Sequence, residues 1–259
     1  MQKVQYVFLD SGVGGIPYLS SLIQKAPASS LLYVADTKHF PYGNKTKDEI
    51  ISFSKDIVSK IIKATSPSII IVACNTITVS ALDTLRQTFK IPFVGTVPAI
   101  KLAKKITHNN NIGLIGTTRT LEDAYIKNLA RTFAADANIV PIVEGSLIEE
   151  IENGLMFLPQ DEQLRFTLPI LKKFEEKHCD TLILGCTHFL HLLPAFTKAG
   201  AMCGITIADS LEGVVRQALK LSPPIPLSIP KKLFYASKNI DKTYHSYAKK
   251  WDLELIEEL

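Results

Sequence analysis

Two cysteines, Cys74 and Cys186, each stand where an apolar run gives way to small polar residues. Each run has four or five mostly β-branched or aliphatic residues and then one small residue. Short apolar runs of this kind are typical of strands buried on both faces of a parallel sheet. Open α/β sheets bind their ligands at the carboxyl ends of such strands. We therefore predict that the two thiols occupy equivalent strand ends and face each other across one substrate.

A pair of thiols placed in this way could invert a stereocentre. If the sulfurs lie on opposite faces of one carbon, one removes a proton as the thiolate while the other delivers a proton as the thiol. The two roles would swap with the direction of the reaction. A helix amino terminus, which we expect after each cysteine, favours the thiolate. A single activated thiol would instead indicate a covalent nucleophile.

Polar residues at the strand ends complete the predicted site. Asp10 ends the first predicted strand and could orient or deprotonate a thiol. His188 is two residues after Cys186, so in extended backbone both side chains would point the same way. Short hydrogen-bonding residues suit the carboxylates and ammonium of a small amino acid, and they are Ser11, Asn75, Thr76, Thr117, Thr120 and Thr187.

Other interpretations of the cysteines stay open. A cysteine that ends a buried strand can be an inert small apolar residue, as we expect for Cys179 and Cys203, which lack the paired context. Cys74, Cys186 and His188 could ligate zinc, although no closely spaced pair of cysteines or histidines supports such a site.

The glycine-rich turn at residues 10–15, between the first strand and the first helix, resembles a dinucleotide fingerprint, but Pro17 stands at the third glycine. We interpret these glycines as letting backbone N–H groups approach a small carboxylate at the helix amino terminus. A purely structural tight turn is the alternative.

Local patterns fix several elements. Leu31–Ala35 is predicted to be a strand, Thr46 and Glu49 form a capping box that opens a helix, and residues 75–88 form a helix after the first cysteine. One further helix is predicted to run on to Phe133.

The order strand–helix–strand–loop–helix–cysteine strand occurs twice, which indicates a duplicated α/β unit. We predict two lobes related by a pseudo-twofold axis, each a mostly parallel sheet flanked by helices, with the active site in the interlobe cleft. Residues 1–97 and 208–259 are assigned to the first lobe, and residues 98–207 to the second.

Composition excludes several classes of function. The net charge of +4 is mild and no basic stripe is present, so nucleic acid is not indicated as a partner. No apolar stretch reaches the length of about 18 residues that a membrane span needs. The amino terminus lacks the shape of a signal peptide, so we expect a cytoplasmic protein whose four cysteines are reduced thiols.

Four motifs together resemble those of glutamate racemase, in the aspartate/glutamate racemase family. They are Asp10-Ser11-Gly-x-Gly-Gly, Pro41-Tyr42-Gly43, Ala73-Cys74-Asn75-Thr76 and Gly185-Cys186-Thr187-His188. The resemblance covers nearly the whole chain in order and spacing. It implies two α/β lobes, a homodimer, no pyridoxal phosphate, no metal, and a role in supplying D-glutamate for peptidoglycan.

The same resemblance implies roles for individual residues. Cys74 would take the proton from D-glutamate and Cys186 from L-glutamate. Asp10 would assist the first thiol and His188 the second. Residues implied to bind substrate are Asp10, Ser11, Tyr42, Gly43, Asn75, Thr76, Thr117, Thr120, Thr187 and His188.

Two acidic residues, Asp36 and Glu152, match positions that tune the site in this family. The chain departs from the family pattern at Leu190, where proline commonly follows the Gly-Cys-Thr-His-aromatic motif, and at Val97-Pro98-Ala99. We expect these departures to affect the packing between lobes and the regulation more than the reaction.

Four other functions remain to be distinguished. A relative of the same fold could act on aspartate or another small dicarboxylate. A thiol hydrolase could use Cys186 and His188 as nucleophile and base, and would leave Cys74 unused. A two-lobed binding protein would need no reactive thiol. A pyridoxal-dependent racemase would need a Schiff-base lysine, and no lysine stands in the four motifs.

Overall fold

The buried apolar runs form the strands of two separate sheets. The computed structural model describes residues 4–238 and 242–259. Its contacts divide the chain into two compact units, of which unit 1 is Met1–Thr96 with Leu211–Leu259 and unit 2 is Val97–Ser210.

Over the described residues the chain forms ten strands and eleven α-helices. The strands are β1 (Tyr6–Asp10), β2 (Leu31–Ala35), β3 (Ile69–Val72), β4 (Phe93–Gly95), β5 (Asn111–Gly116), β6 (Asn138–Val143), β7 (Thr181–Leu184), β8 (Thr206–Ala208), β9 (Lys232–Ala236) and β10 (Glu254–Ile256). The helices are α1 (Ile16–Lys25), α2 (Lys47–Thr65), α3 (Asn75–Thr88), α4 (Ile100–Ile106), α5 (Thr118–Glu122), α6 (Ala124–Phe133), α7 (Ser146–Glu152), α8 (Gln160–Glu175), α9 (Leu193–Cys203), α10 (Leu211–Leu221) and α11 (Lys242–Lys250).

Both sheets are parallel and share one strand order. Unit 1 has the order β10-β9-β2-β1-β3-β4 and unit 2 the order β6-β5-β7-β8. Each therefore contains the series second, first, third, fourth strand, counted along its own stretch of chain. All residues of β1, β2, β3 and β7 are buried, which indicates that helices cover both faces. The predicted α/β class with mostly parallel, helix-flanked sheets is confirmed.

The shared order explains why the two cysteines have similar surroundings. Cys74 follows β3 and Cys186 lies just beyond β7, so each comes after the third strand of its own sheet. In each sheet the first strand pairs with the second strand on one side and the third on the other. Ligands bind at such a switch point, outside the carboxyl ends of the strands.

Helix α2 begins as its sequence predicts. The backbone N–H of Thr46 donates to Glu49 Oε2 at 2.8 Å, and Glu49 N–H donates to Thr46 Oγ1 at 3.3 Å. This reciprocal pair satisfies two amide groups that the first turn of a helix leaves without intrahelical partners.

Two helical segments differ from the sequence-based expectation. The single helix expected to run to Phe133 is divided into α5 and α6 at Asp123, which has extended backbone and accepts from Tyr125 N at 2.9 Å as the cap of α6. The chain after Cys186 forms a 3₁₀ helix over Thr187–Leu192 before α9 begins. No helix within the described ranges combines the length and apolar content needed to cross a bilayer.

Candidate active site

The carboxyl edge of the unit 1 sheet gathers three of the predicted groups. Asp10 ends β1, Asp36 directly follows β2, and Cys74 stands two residues after β3. These strands are neighbours in the order β2-β1-β3, so the three residues share the edge around the switch point. All three are buried.

Cys74 is the N-cap residue of α3. Its carbonyl oxygen accepts from Thr78 N at 3.0 Å, while its own backbone is extended. This position sets the thiol beside the positive end of the helix dipole, which favours an anion. Asn75 and Thr76, which open the helix, are also buried, and Asn75 Oδ1 has no hydrogen-bond partner among the described residues.

The carboxylate of Asp10 is held by its neighbour in sequence. Its Oδ1 accepts from the Ser11 backbone N–H at 2.5 Å and from Ser11 Oγ at 3.2 Å. Asp10 is completely buried, so these contacts fix the orientation of its carboxyl group at the sheet edge.

Tyr42 connects Asp36 to this edge. Its hydroxyl donates to Asp36 Oδ2 at 2.5 Å, and Gly43 is the next residue of the 3₁₀ turn Tyr42–Asn44. Burial raises the pKa of Tyr42, and the hydrogen bond and charge of Asp36 raise it further, as do the charges of Cys74 and Asp10. Tyr42 is therefore a neutral donor at neutral pH, and it lies within electrostatic reach of both Cys74 and Asp10.

In unit 2 two threonine hydroxyls lie just after the end of the first strand, β5. Thr117 caps α5, because its Oγ1 accepts from Thr120 N at 3.3 Å, and the same Oγ1 donates to Thr120 Oγ1 at 3.0 Å. Both residues follow β5, which neighbours β7 in the sheet.

The second thiol forms part of a Cys–His–Glu array. Cys186 Sγ lies 3.6 Å from His188 Nδ1, and His188 Nε2 lies 2.6 Å from Glu152 Oε1. Burial lowers the pKa of His188, but hydrogen bonds to Cys186 and Glu152, together with the charges of those two groups, raise it well above its ordinary value. In its imidazolium form His188 has an N–H for each of these two neighbours, the Cys186 sulfur at Nδ1 and the Glu152 carboxylate at Nε2.

The extended backbone predicted from Cys186 to His188 is wrong, although the two side chains are in contact. Cys186 is extended, but His188 lies in the following 3₁₀ helix, and the two side chains meet around that turn. Thr187, between them, is buried.

Gly15 has a structural role in the glycine turn. Its N–H donates to Tyr33 Oη at 3.0 Å, so this amide is already used and does not serve a carboxylate ligand. A Cβ on Gly15 would stand 2.6 Å from Ala73 Cβ and 3.0 Å from Ala73 O. The turn must approach the strand end that precedes Cys74, and for this residue the structural alternative is correct.

Gly15→Ala is expected to lower the free energy of unfolding by about 2 kcal/mol, because overpacking a closed interior forces backbone shifts. Gly213→Ala is the matched control in the same unit, since nothing lies within 4 Å of its added Cβ in α10. That control should stabilise by about 0.5–1 kcal/mol through helix propensity. Urea unfolding of the two variants checks this, and equal effects of the two substitutions would contradict the packing account.

Sequence reasoning missed two residues that bind Asp36. His39 Nδ1 lies 2.8 Å from Asp36 Oδ2, and Ser237 Oγ donates to Asp36 Oδ1 at 2.6 Å. His39 had a local signal in its spacing of three residues from Asp36, whereas Ser237 comes from the far end of the chain and had none. In the described part of the chain, no three His, Cys, Asp or Glu side chains come together as metal ligands would.

Comparison with known proteins places the chain in a family. A family model described as Asp/Glu/hydantoin racemase matches residues 15–218. Glutamate racemase of Treponema pallidum is 41% identical over 224 residues, which are 86% of this chain and 83% of that protein.

Solved structures are similar over nearly the whole chain. Escherichia coli glutamate racemase in complex with L-glutamate and the activator UDP-MurNAc-Ala has a TM-score of 0.84 at 26% identity, covering 97% of both chains. Glutamate racemase RacE1 of Bacillus anthracis has a TM-score of 0.79 at 26% identity, covering 99% of this chain and 97% of the other.

The chain belongs to the Asp/Glu/hydantoin racemase family. It is an isomerase, and the relatives that it resembles over most of its length are glutamate racemases.

Proposed function

We propose that this enzyme interconverts L- and D-glutamate by moving the α-proton between two thiols, Cys74 and Cys186, that act on opposite faces of one α-carbon. The observation that carries the proposal is the repeated placement of a cysteine after the third strand of two sheets with the same order. Glutamate as substrate is supported by the names of the relatives and by the L-glutamate bound to the Escherichia coli enzyme.

The proposed reaction balances in both directions. With D-glutamate, the Cys74 thiolate takes the α-proton, so the Cα–H bond breaks, an S–H bond forms, and the electron pair passes to the substrate as a carbanion. The Cys186 thiol then delivers its own proton to the opposite face, which gives L-glutamate and leaves Cys186 as the thiolate. With L-glutamate the two thiols exchange roles.

The groups around each thiol suit these steps. Asp10 is the acid proposed to assist Cys74, and it is completely buried at the same sheet edge. His188 is proposed to stabilise the Cys186 thiolate with an N–H held toward the sulfur, while Glu152 fixes the imidazole from its other side. Because the protein itself supplies both proton carriers, the proposed reaction requires neither pyridoxal phosphate nor a metal.

Substrate binding is proposed for the short polar groups at the two sheet edges. Asn75 Oδ1, buried and without a partner, offers an acceptor to the substrate ammonium. The full proposed set is Asp10, Ser11, Tyr42, Gly43, Asn75, Thr76, Thr117, Thr120, Thr187 and His188, with Asp36 and Glu152 tuning the site.

The product is proposed to be D-glutamate for peptidoglycan, made in the cytoplasm, where thiols stay reduced. Expression of the chain in a bacterium that requires D-glutamate tests this role, and growth without added D-glutamate is the expected result. A homodimer, which the family resemblance implies, is also proposed, and sedimentation velocity tests it.

The assay that tests the reaction compares L-glutamate with L-aspartate by polarimetry, using purified enzyme without added cofactor. Loss of optical rotation with glutamate, and at most slow loss with aspartate, is expected. If the enzyme prefers aspartate, the proposed substrate is wrong, but the proposed two-thiol mechanism is unaffected.

A Cys–His–Glu array also occurs in thiol hydrolases, so Cys186 needs a separate test. Hydrolysis through Cys186 would leave an acyl group on that sulfur. L-Glutamine has a side-chain amide that a hydrolase could cleave, with ammonia leaving and the acyl group passing to the sulfur. If Cys186 acts only as a proton carrier, mass spectrometry of the enzyme incubated with L-glutamine should find an unmodified chain.

A further inference from the structure

The buried carboxylate of Asp36 is fixed from both of its oxygens. Oδ2 meets the Tyr42 hydroxyl at 2.5 Å and His39 Nδ1 at 2.8 Å, whereas Oδ1 accepts from Ser237 Oγ at 2.6 Å. Asp36 is only 2% exposed, so water contributes little to holding it. The orientation of the carboxylate plane therefore depends on Ser237 as well as on the residues of its own loop.

Ser237 is itself held firmly in position. It follows β9, which pairs with β2 in a register that sets Ala236 beside Ala35. Its N–H donates to Ala35 O at 2.9 Å, and its hydroxyl oxygen accepts from Lys38 N at 3.0 Å. Because the oxygen takes the Lys38 N–H, the hydroxyl proton is directed to Asp36.

A second hydroxyl joins the same two segments without binding Asp36. Thr37 Oγ1 donates to Lys238 O at 2.8 Å and accepts from Lys238 N at 2.9 Å. Ser237 and Thr37 thus both tie the loop after β2 to the chain after β9, but of these two hydroxyls the one on Ser237 contacts the carboxylate that binds Tyr42.

We propose that Ser237 is a positioning residue for substrate binding, which acts through Asp36 to fix the Tyr42 hydroxyl and the turn that carries Gly43. The inference rests on the proposed function, in which Tyr42 and Gly43 bind glutamate. It assigns a role to the carboxyl-terminal segment, which lies outside residues 15–218 matched by the family model.

Loss of the Ser237 hydroxyl is expected to weaken substrate binding more than it slows proton transfer. Without the Ser237 hydroxyl, the buried Oδ1 of Asp36 and the Lys38 N–H each lose a partner. Asp36 is then held by Tyr42 and His39 at Oδ2 alone, which fixes the plane of the carboxylate less well. The turn at Tyr42 then holds non-reacting groups of the substrate less well. Such a loss weakens ground state and transition state alike, so KM rises while kcat changes little.

The test compares three variants in both reaction directions. Ser237→Ala should raise KM for each enantiomer roughly tenfold and change kcat by less than about threefold. Ser237→Thr keeps the hydroxyl and should keep KM within about twofold of the wild type. Thr37→Val, which removes two hydrogen bonds between the same segments, should also leave KM within about twofold.

A structural readout accompanies the kinetics. Hydrogen–deuterium exchange of the substrate-free protein should be faster over residues 36–44 in Ser237→Ala and unchanged there in Ser237→Thr. An unchanged KM in Ser237→Ala, or an equal rise in Thr37→Val, would overturn the positioning role. A wild-type enzyme that fails to racemise glutamate would instead overturn the proposed function, so the two failures are distinguishable.

Discussion

Cys74→Ala and Cys186→Ala are each expected to lower kcat/KM for glutamate racemisation by about 10³-fold or more, since each removes a group that must accept or deliver the α-proton. Polarimetry of both enantiomers measures this. The loss must be equal in the two directions, because L- and D-glutamate have the same free energy and kcat/KM therefore stays equal for both. A catalyst that needed only one thiol would lose this rate in one variant and keep it in the other.

The remaining cysteines provide the control. Cys179 is buried, and burial together with the charge of Asp180 raises the pKa of its thiol to about 11, so it remains a thiol at neutral pH. Burial and the neighbouring Glu175 also raise the pKa of the Cys203 thiol. Cys179→Ala and Cys203→Ala should leave kcat/KM within about twofold of wild type.

Glu152→Gln is expected to move the alkaline limb of the pH–rate profile to lower pH and to reduce kcat/KM at neutral pH by roughly 10–100-fold. The raised pKa of His188 keeps the imidazole protonated beside Cys186, and activity that needs this proton is lost as pH rises through that pKa. Removing the Glu152 charge takes away one cause of the raised pKa, so the proton is lost at lower pH.

Glu150→Gln is the matched control for this prediction. Glu150 lies on the same helix, α7, and is exposed. Glu150→Gln should leave the alkaline limb of the pH–rate profile in place when kcat/KM is measured from pH 6 to pH 10. A Glu152→Gln profile with an unmoved limb, or a similar shift in Glu150→Gln, would contradict the role assigned to the His188–Glu152 pair.

The elements predicted best from sequence have strong local causes. Strand β2 occupies the predicted residues Leu31–Ala35. A short continuous run of apolar residues is typical of a strand that is buried on both faces. Helix α2 starts at its capping box, and α3 starts directly after Cys74. These signals lie within a few residues of the feature that they determine.

Features that depend on distant parts of the chain were not predictable in this way. The break between α5 and α6 lies at Asp123, which caps α6. The spacing of the apolar residues in this segment does not indicate the break. Glu152 meets His188 across 36 residues, and Ser237 meets Asp36 across 201. Glu152 was identified through the family resemblance, and Ser237 had neither a motif nor a local pattern.

The most direct test of the two-thiol account follows the α-proton in heavy water by NMR. It uses Cys74→Ala and Cys186→Ala, each with one enantiomer of glutamate at a time. Cys74→Ala, which keeps Cys186, should exchange the α-proton of L-glutamate alone and form no D-glutamate. Cys186→Ala should exchange D-glutamate alone and form no L-glutamate. If one variant exchanges both enantiomers, or either variant still inverts its substrate at a rate near that of the wild type, the sulfurs do not act from opposite faces of the same carbon.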